Sequence, residues 1–97
     1  MPDIPVSVRH EPAAERYLLL VSGQPCGEAR YLEQGERVVF THTEVDPSLS
    51  GQGLGSALAR GALEDVRRRG RRIVARCAFI ADYLQRHEDW DDLVDPP

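Results

Sequence analysis

Lysine and asparagine are missing from this 97-residue chain, cysteine occurs only twice, and aromatic residues make up 6%. The absence of lysine excludes a nucleoside-triphosphate loop of the GxxxxGK[ST] type, which needs that side chain on the phosphates. All 12 basic residues are arginine, a usage expected of a high-GC coding genome. Cys26 and Cys77 have neither metal-ligand spacing nor the density of a disulfide scaffold, so we expect no metal site and a reducing compartment. No apolar run approaches the roughly 20 residues of a membrane span. The opening MPDIPVSVRH lacks the basic-then-apolar order of a secretion signal. The expectation is a cytoplasmic chain without a membrane partner. A net charge of -4 argues against general affinity for nucleic acid, although five arginines crowd between Arg67 and Arg72. That cluster reads either as a solvated helix end, where cations complement the helix dipole, or as a patch for an acidic partner.

What is present falls into two halves, and the length fits one domain over residues 1–97. PVSVRH, ERYLLLVS, CGEARYLEQ and ERVVFTHTEV have the alternation and β-branched content of strands. The short EPAA, SGQP and EQGE between them predict antiparallel neighbours, a meander of up to four strands. The period then changes. Leu54, Ala57, Leu58, Ala62 and Val66 recur at helical spacing, so a helix is expected over about 53–69 with Gly70 as its C-cap. RRIVARC reads as a short strand and AFIADYLQRH as a second helix with Phe79, Ile80, Tyr83 and Leu84 on one side. Trp90, Leu93 and Val94 offer anchors for the acidic, proline-ended tail. The order ββββαβα predicts an α+β (α/β-like) domain with one mixed, mostly antiparallel sheet.

Between the halves, Gly51, Gly53 and Gly55 join a strand end to the first turn of a helix. Singly, each has a structural explanation as a turn or a close-packing residue. Together they bare a helix N-terminus, where unpaired N–H groups and the positive end of the dipole collect. Such a turn suits a pyrophosphate, which would lie on residues 51–56: Gly51, Gln52, Gly53, Leu54, Gly55 and Ser56. A dinucleotide fingerprint is disfavoured, because Leu58 stands where GxGxxG needs its third glycine.

SLSGQGLGSAL resembles the pyrophosphate segment [Q/R]xxGx[G/A] of the GNAT acetyltransferases, with Gly53 and Gly55 at the fixed positions and Ser50 in place of Gln or Arg. THTEVDPSLSGQGLGSAL with RRIVARCAFIADYLQRHEDWDDLV is similar to the small single-domain branch of that superfamily, in which a His-Thr-Glu-Val strand precedes the glycine turn and a cysteine follows the next strand. Ala75 and Ala78 depart from that branch, which commonly has prolines around the cysteine. The resemblance implies a GNAT-type domain that binds acetyl-CoA where strands four and five splay, with the pantetheine arm along strand four near Val45. It also implies an amine as acceptor, Cys77 as a catalytic residue, and Tyr83 as a group near the coenzyme sulfur.

Acetyl transfer to an amine needs a base for the ammonium proton and donors for the thioester oxygen. His42 and Glu44 are two apart on a strand and share a face, so either could be the base, or both could decorate a solvent face. Cys77 precedes a helix, whose N-terminus favours negative charge, and could accept the acetyl group covalently. The alternative is a small buried hydrophobe. For Tyr83, the core reading stands beside the coenzyme reading. Glu44, Asp46, Asp89, Asp91 and Asp92 would suit a basic acceptor such as a polyamine or a lysine side chain. The expected assembly is a monomer or a weak homodimer. The alternatives to an enzyme are a non-catalytic acyl-CoA binding module and an interaction protein on the same fold.

Overall fold

A computed structural model describes residues 5–49 and 53–97. Four strands form the expected meander: β1 (Val6–Glu11), β2 (Arg16–Val21), β3 (Gln24–Gln34) and β4 (Arg37–Val45), each antiparallel to the last. Helix α1 (Leu54–Arg68) crosses over to β5 (Arg72–Ala75), which pairs parallel with β4. Helix α2 (Ala78–Arg86) follows, then a 3-10 turn over Glu88–Leu93. Val94–Asp95 form a sixth strand, β6, parallel to β5, so the sheet order is β1-β2-β3-β4-β5-β6. This last strand has no signal of its own in a two-residue segment ahead of Pro96. The turn before it is anchored by the buried Trp90, while Leu93 and Val94 pack on the same core, and Asp95 pairs with Arg37 and Arg72 of β4 and β5.

Both helices cover one face. Leu58, Ala59, Ala62, Leu63 and Val66 of α1 are fully buried against Tyr17, Leu19, Tyr31, Val38, Phe40 and Ile73, with Ile80, Tyr83 and Leu84 of α2 in the same core. Leu18 and Leu20 of β2, and separately Val39 of β4 with its neighbour Val74 of β5, are buried outside that core cluster. The expected C-cap is present in full. Gly70 takes φ 69°, its N–H donates to the Arg67 carbonyl and the Arg71 N–H donates to the Val66 carbonyl, the paired bonds of a Schellman motif. Phe79 departs from the expected helical stripe. It stays 39% exposed because its ring rests over Gly55 in the first turn of α1 instead of turning inward with Ile80.

Each of the five arginines of the cluster finds its partners within the chain. Arg67 pairs with Asp92 (2.9 Å) and donates to the Asp89 carbonyl, Arg68 pairs with Asp65, and Arg69 pairs with Glu33. Arg71 donates to the Gly35 carbonyl and Arg72 pairs with Asp95, whose carboxyl is held down to about 2 by hydrogen bonds from Arg72 and Arg37. Exposed pairs of this kind contribute little energy each. Their geometric effect is to tie the end of α1 to the β3–β4 hairpin and to the tail, which favours the helix-end reading of the cluster.

A buried polar network joins the far end of α1 to the first strands. Asp65 accepts from the Tyr17 hydroxyl (2.7 Å) and lies 3.4 Å from His10 Nδ1. His10 Nε2 lies 2.5 Å from the Tyr31 hydroxyl, and the imidazole stacks on Tyr17. A proton on Nδ1 faces Asp65 and leaves Nε2 to accept from Tyr31. Burial of His10 lowers its pKa from 6.5, outweighing the attraction of Asp65, and Arg69 lowers it further. The unfolded chain therefore binds this proton first as pH falls. Stability from His10 is complete above pH 6.5 and is lost as pH drops through 6.5 toward the folded-state value. Denaturation at pH 7.5 and pH 5.5 should show this loss, and a His10→Gln variant should show a smaller pH dependence over the same interval. An equal dependence in the variant would assign the loss to other groups.

Candidate active site

Strand β4 carries a change of phase at its middle. Arg30 faces His42 while the next residue of β3, Tyr31, faces Phe40, so Thr41 is an extra residue, a β-bulge. Up to Phe40 the even-numbered side chains Val38 and Phe40 point into the helix-covered core; beyond the bulge the odd-numbered Val45 packs against that same core. His42 and Glu44 are thereby turned onto the open face, beside Arg30 and Glu28 of β3. They do share a face, with His42 Nε2 3.7 Å from Glu44 Oε1, and both are exposed.

On the helix side, the Thr43 hydroxyl lies 3.4 Å from Cys77 Sγ. Cys77 is the N-cap residue of α2, is 9% exposed and makes no side-chain capping bond. The three candidate catalytic residues thus divide: His42 and Glu44 lie on one face of β4, Cys77 on the other. Sequence reasoning missed Thr43 because its partner is 34 residues away and the bulge that re-aims it leaves no local mark.

The same strand has a free edge. Pairing of β4 with β5 stops at Phe40 and Ala75, and the Arg76 N–H to the Phe40 carbonyl (2.9 Å) is the last bond across. The chain then turns into α2, so among the described residues no strand covers the β5 side of Thr41–Val45. The two strands are unpaired beyond Phe40 and Ala75.

Of the residues expected to hold a pyrophosphate, Gly51 and Gln52 lie outside the described residues. Gly53 is the N-cap of α1 at φ 72°, a left-handed conformation that glycine adopts without strain, and among the described residues no side chain caps the helix. The first-turn N–H groups of a helix have no partner within the helix itself and suit a ligand or solvent. Leu54 buries its side chain in the core, and Ser56 is exposed. Gly55 has a reason of its own. A Cβ there would come within 2.6 Å of the Phe79 ring, so the first turns of α1 and α2 are in contact through this glycine.

Tyr83 is 4% exposed, with its ring stacked on His87 and tilted against Trp90. Burial raises its pKa, so the hydroxyl stays protonated at neutral pH. On the open face, a groove of about 520 Å³ is lined by Arg16, Leu18, Cys26, Glu28, Glu44 and Asp46. Asp46 accepts from the backbone and hydroxyl of Ser48, which lower its pKa. Glu28 is bridged by Arg16 (3.0 Å) and approached by Arg30 (3.6 Å). Asp89, Asp91 and Asp92 belong instead to the 3-10 turn after α2, where Asp92 is engaged by Arg67. No described helix is long and apolar enough to cross a membrane.

Comparison with known proteins gives concordant results. The solution structure of a GCN5-like putative N-acetyltransferase from Staphylococcus aureus superimposes with a TM-score of 0.70 at 21% identity, over 100% of this chain and 93% of that one. The crystal structure of the ribosomal-protein-S18-alanine N-acetyltransferase from Escherichia coli matches with a TM-score of 0.56 at 24% identity, over 60% of this chain and 38% of the other. At these identities the two establish the fold. A search of curated proteins found no match. The model of the family described as GCN5-related N-acetyl-transferase matches residues 16–93, and with the fold in agreement the chain belongs to the GCN5-related N-acetyltransferase family.

Proposed function

We propose that this chain binds acetyl-CoA and transfers its acetyl group to an amine. The observation that carries the reading is the free edge of β4 over Thr41–Val45, beginning at the Thr41 bulge and flanked by the first turns of α1 and α2. Unpaired N–H and C=O groups along such an edge suit an extended amide-bearing chain. The N–H groups at the start of α1, from Gly53, Leu54, Gly55 and Ser56, suit its pyrophosphate. When bound, the coenzyme supplies an activated thioester carbon. Gly51 and Gln52 extend the phosphate cradle in this reading, and Val45 lines the arm.

The division of side chains across β4 then suggests a division of labour. Glu44, with His42 beside it, takes a proton from the incoming ammonium on the open face, directly or through water. The free amine attacks the thioester carbon, the C–N bond forms, the nitrogen releases its remaining extra proton to solvent, the C–S bond breaks, and the thiolate leaves with a proton from solvent or a nearby donor. The groove bordered by Glu28, Glu44 and Asp46 opens on the same face and gives a cationic acceptor its approach. Tyr83 enters this scheme only as packing behind α2.

The Thr43–Cys77 contact favours a second route. Here the Cys77 sulfur accepts the acetyl group by thioester exchange, coenzyme thiol leaves, and the amine attacks the new thioester. Calorimetric titration with acetyl-CoA, paired with intact mass after incubation, tests both. Saturable binding and acetylation of a polyamine or lysine peptide, diminished by Glu44→Gln, is the expected result. An added acetyl mass that Cys77→Ala removes selects the covalent route. Binding without turnover would instead identify a non-catalytic acyl-CoA module, and no binding would leave an interaction protein.

A further inference from the structure

Phe79 is one of three large apolar side chains among the described residues that remain substantially exposed, and it is the one placed at the candidate site. It is the second residue of α2, two after Cys77, and its ring lies across the backbone of Gly55 in the first turn of α1. The ring therefore bridges the first turns of the two helices, and α2 itself begins beside the free edge of β4, where Cys77 Sγ lies 3.4 Å from the Thr43 hydroxyl. Helical spacing allows Phe79 to share the buried side of α2 with Ile80 and Tyr83, yet the fold leaves its ring 39% in water. An aromatic ring held partly in solvent between two helix ends gains free energy once a ligand covers it.

We infer that Phe79 is a coenzyme-specificity residue whose ring packs against the apolar part of the pantetheine arm. The inference rests on the acetyl-CoA reading above and deepens it. A ligand with its phosphates on the first turn of α1 and its thioester at β4 must pass the place where the two helices touch, and that place is the Phe79 ring over Gly55. The surface the ring offers is apolar and carries no hydrogen-bonding group, which selects the branched hydrocarbon segment of the arm over its amides or phosphates. Gly55 takes part by staying bare, because any side chain there would displace the ring.

The test uses calorimetry and NMR on the full chain with coenzyme A. Phe79→Ala should weaken binding about tenfold, Phe79→Leu should recover most of that loss, and melting curves should show both variants folded. In the wild-type complex, the ring protons of Phe79 should give intermolecular NOEs to the geminal methyl groups of pantetheine; the only other phenylalanine, Phe40, is fully buried. Binding unchanged in Phe79→Ala, or a complex without those NOEs, overturns the role of Phe79 while leaving the coenzyme reading intact. A wild-type protein that does not bind coenzyme A fails the coenzyme reading itself.

Discussion

Replacing Ser56 by glutamate should raise the dissociation constant for acetyl-CoA at least about a hundredfold without lowering the melting temperature. With Gly53 as N-cap, Ser56 is the third residue of α1 and is exposed. A glutamate at that position is favourable for the helix, because its carboxylate meets the unpaired N–H groups and the positive end of the dipole, an effect of about 0.3–1 kcal/mol. Those are the groups on which the proposed pyrophosphate rests. The carboxylate would compete for the same donors and repel the phosphates, so binding and stability should move in opposite directions. Few substitutions separate the two so cleanly. Calorimetry beside thermal melting is the measurement, and affinity kept within a few fold of wild type would place the coenzyme elsewhere.

The largest effect on stability is expected from Asp65→Ala, about 3 kcal/mol, which corresponds to a fall of roughly 15 °C in melting temperature for a domain of this size. Asp65 is the one buried charged residue among those described. Burial alone would raise its pKa, but hydrogen bonds from Tyr17 and Arg68 outweigh that and lower it. Truncation would leave the fully buried Tyr17 with only the Arg69 guanidinium (3.2 Å) on its hydroxyl, and would remove the carboxylate facing His10. The cost arises from groups left without a partner. Adding Tyr17→Phe to Asp65→Ala should therefore cost less than the sum of the single changes, and chemical denaturation of the four proteins measures that coupling. Strict additivity would mean that the pair does not interact. Because Asp65 is eleven residues along α1 from Leu54, roughly 16 Å along the axis, coenzyme affinity per folded molecule should be unchanged.

These two predictions sit at opposite ends of one helix, and they differ in how far the sequence announced them. The glycine turn ahead of α1 was legible as a bare helix N-terminus, since Gly51, Gly53 and Gly55 and the following apolar spacing are local features. The network at the other end was not. Asp65 looks like any acid on a helix until β1 and β2 bring His10 and Tyr17 against it from 55 and 48 residues away.

Local order determined the element sequence ββββαβ followed by a second helix, the Schellman end at Gly70, the shared face of His42 and Glu44, and the resemblance that the family match bears out. Such features depend on periods of two or 3.6 residues and on single turn residues, which a chain displays without folding. Tertiary structure alone decided that β4 slips by one residue at Thr41, sending His42 and Glu44 to the open face and Thr43 toward Cys77. It also decided that Phe79 covers Gly55, that the arginine cluster is consumed within the chain, and that Val94–Asp95 complete the sheet. Each depends on the register or packing of segments far apart in sequence. A bulge is a relation between two strands, and a ring over a glycine is a relation between two helices; neither leaves a mark in the residues of one segment read by itself.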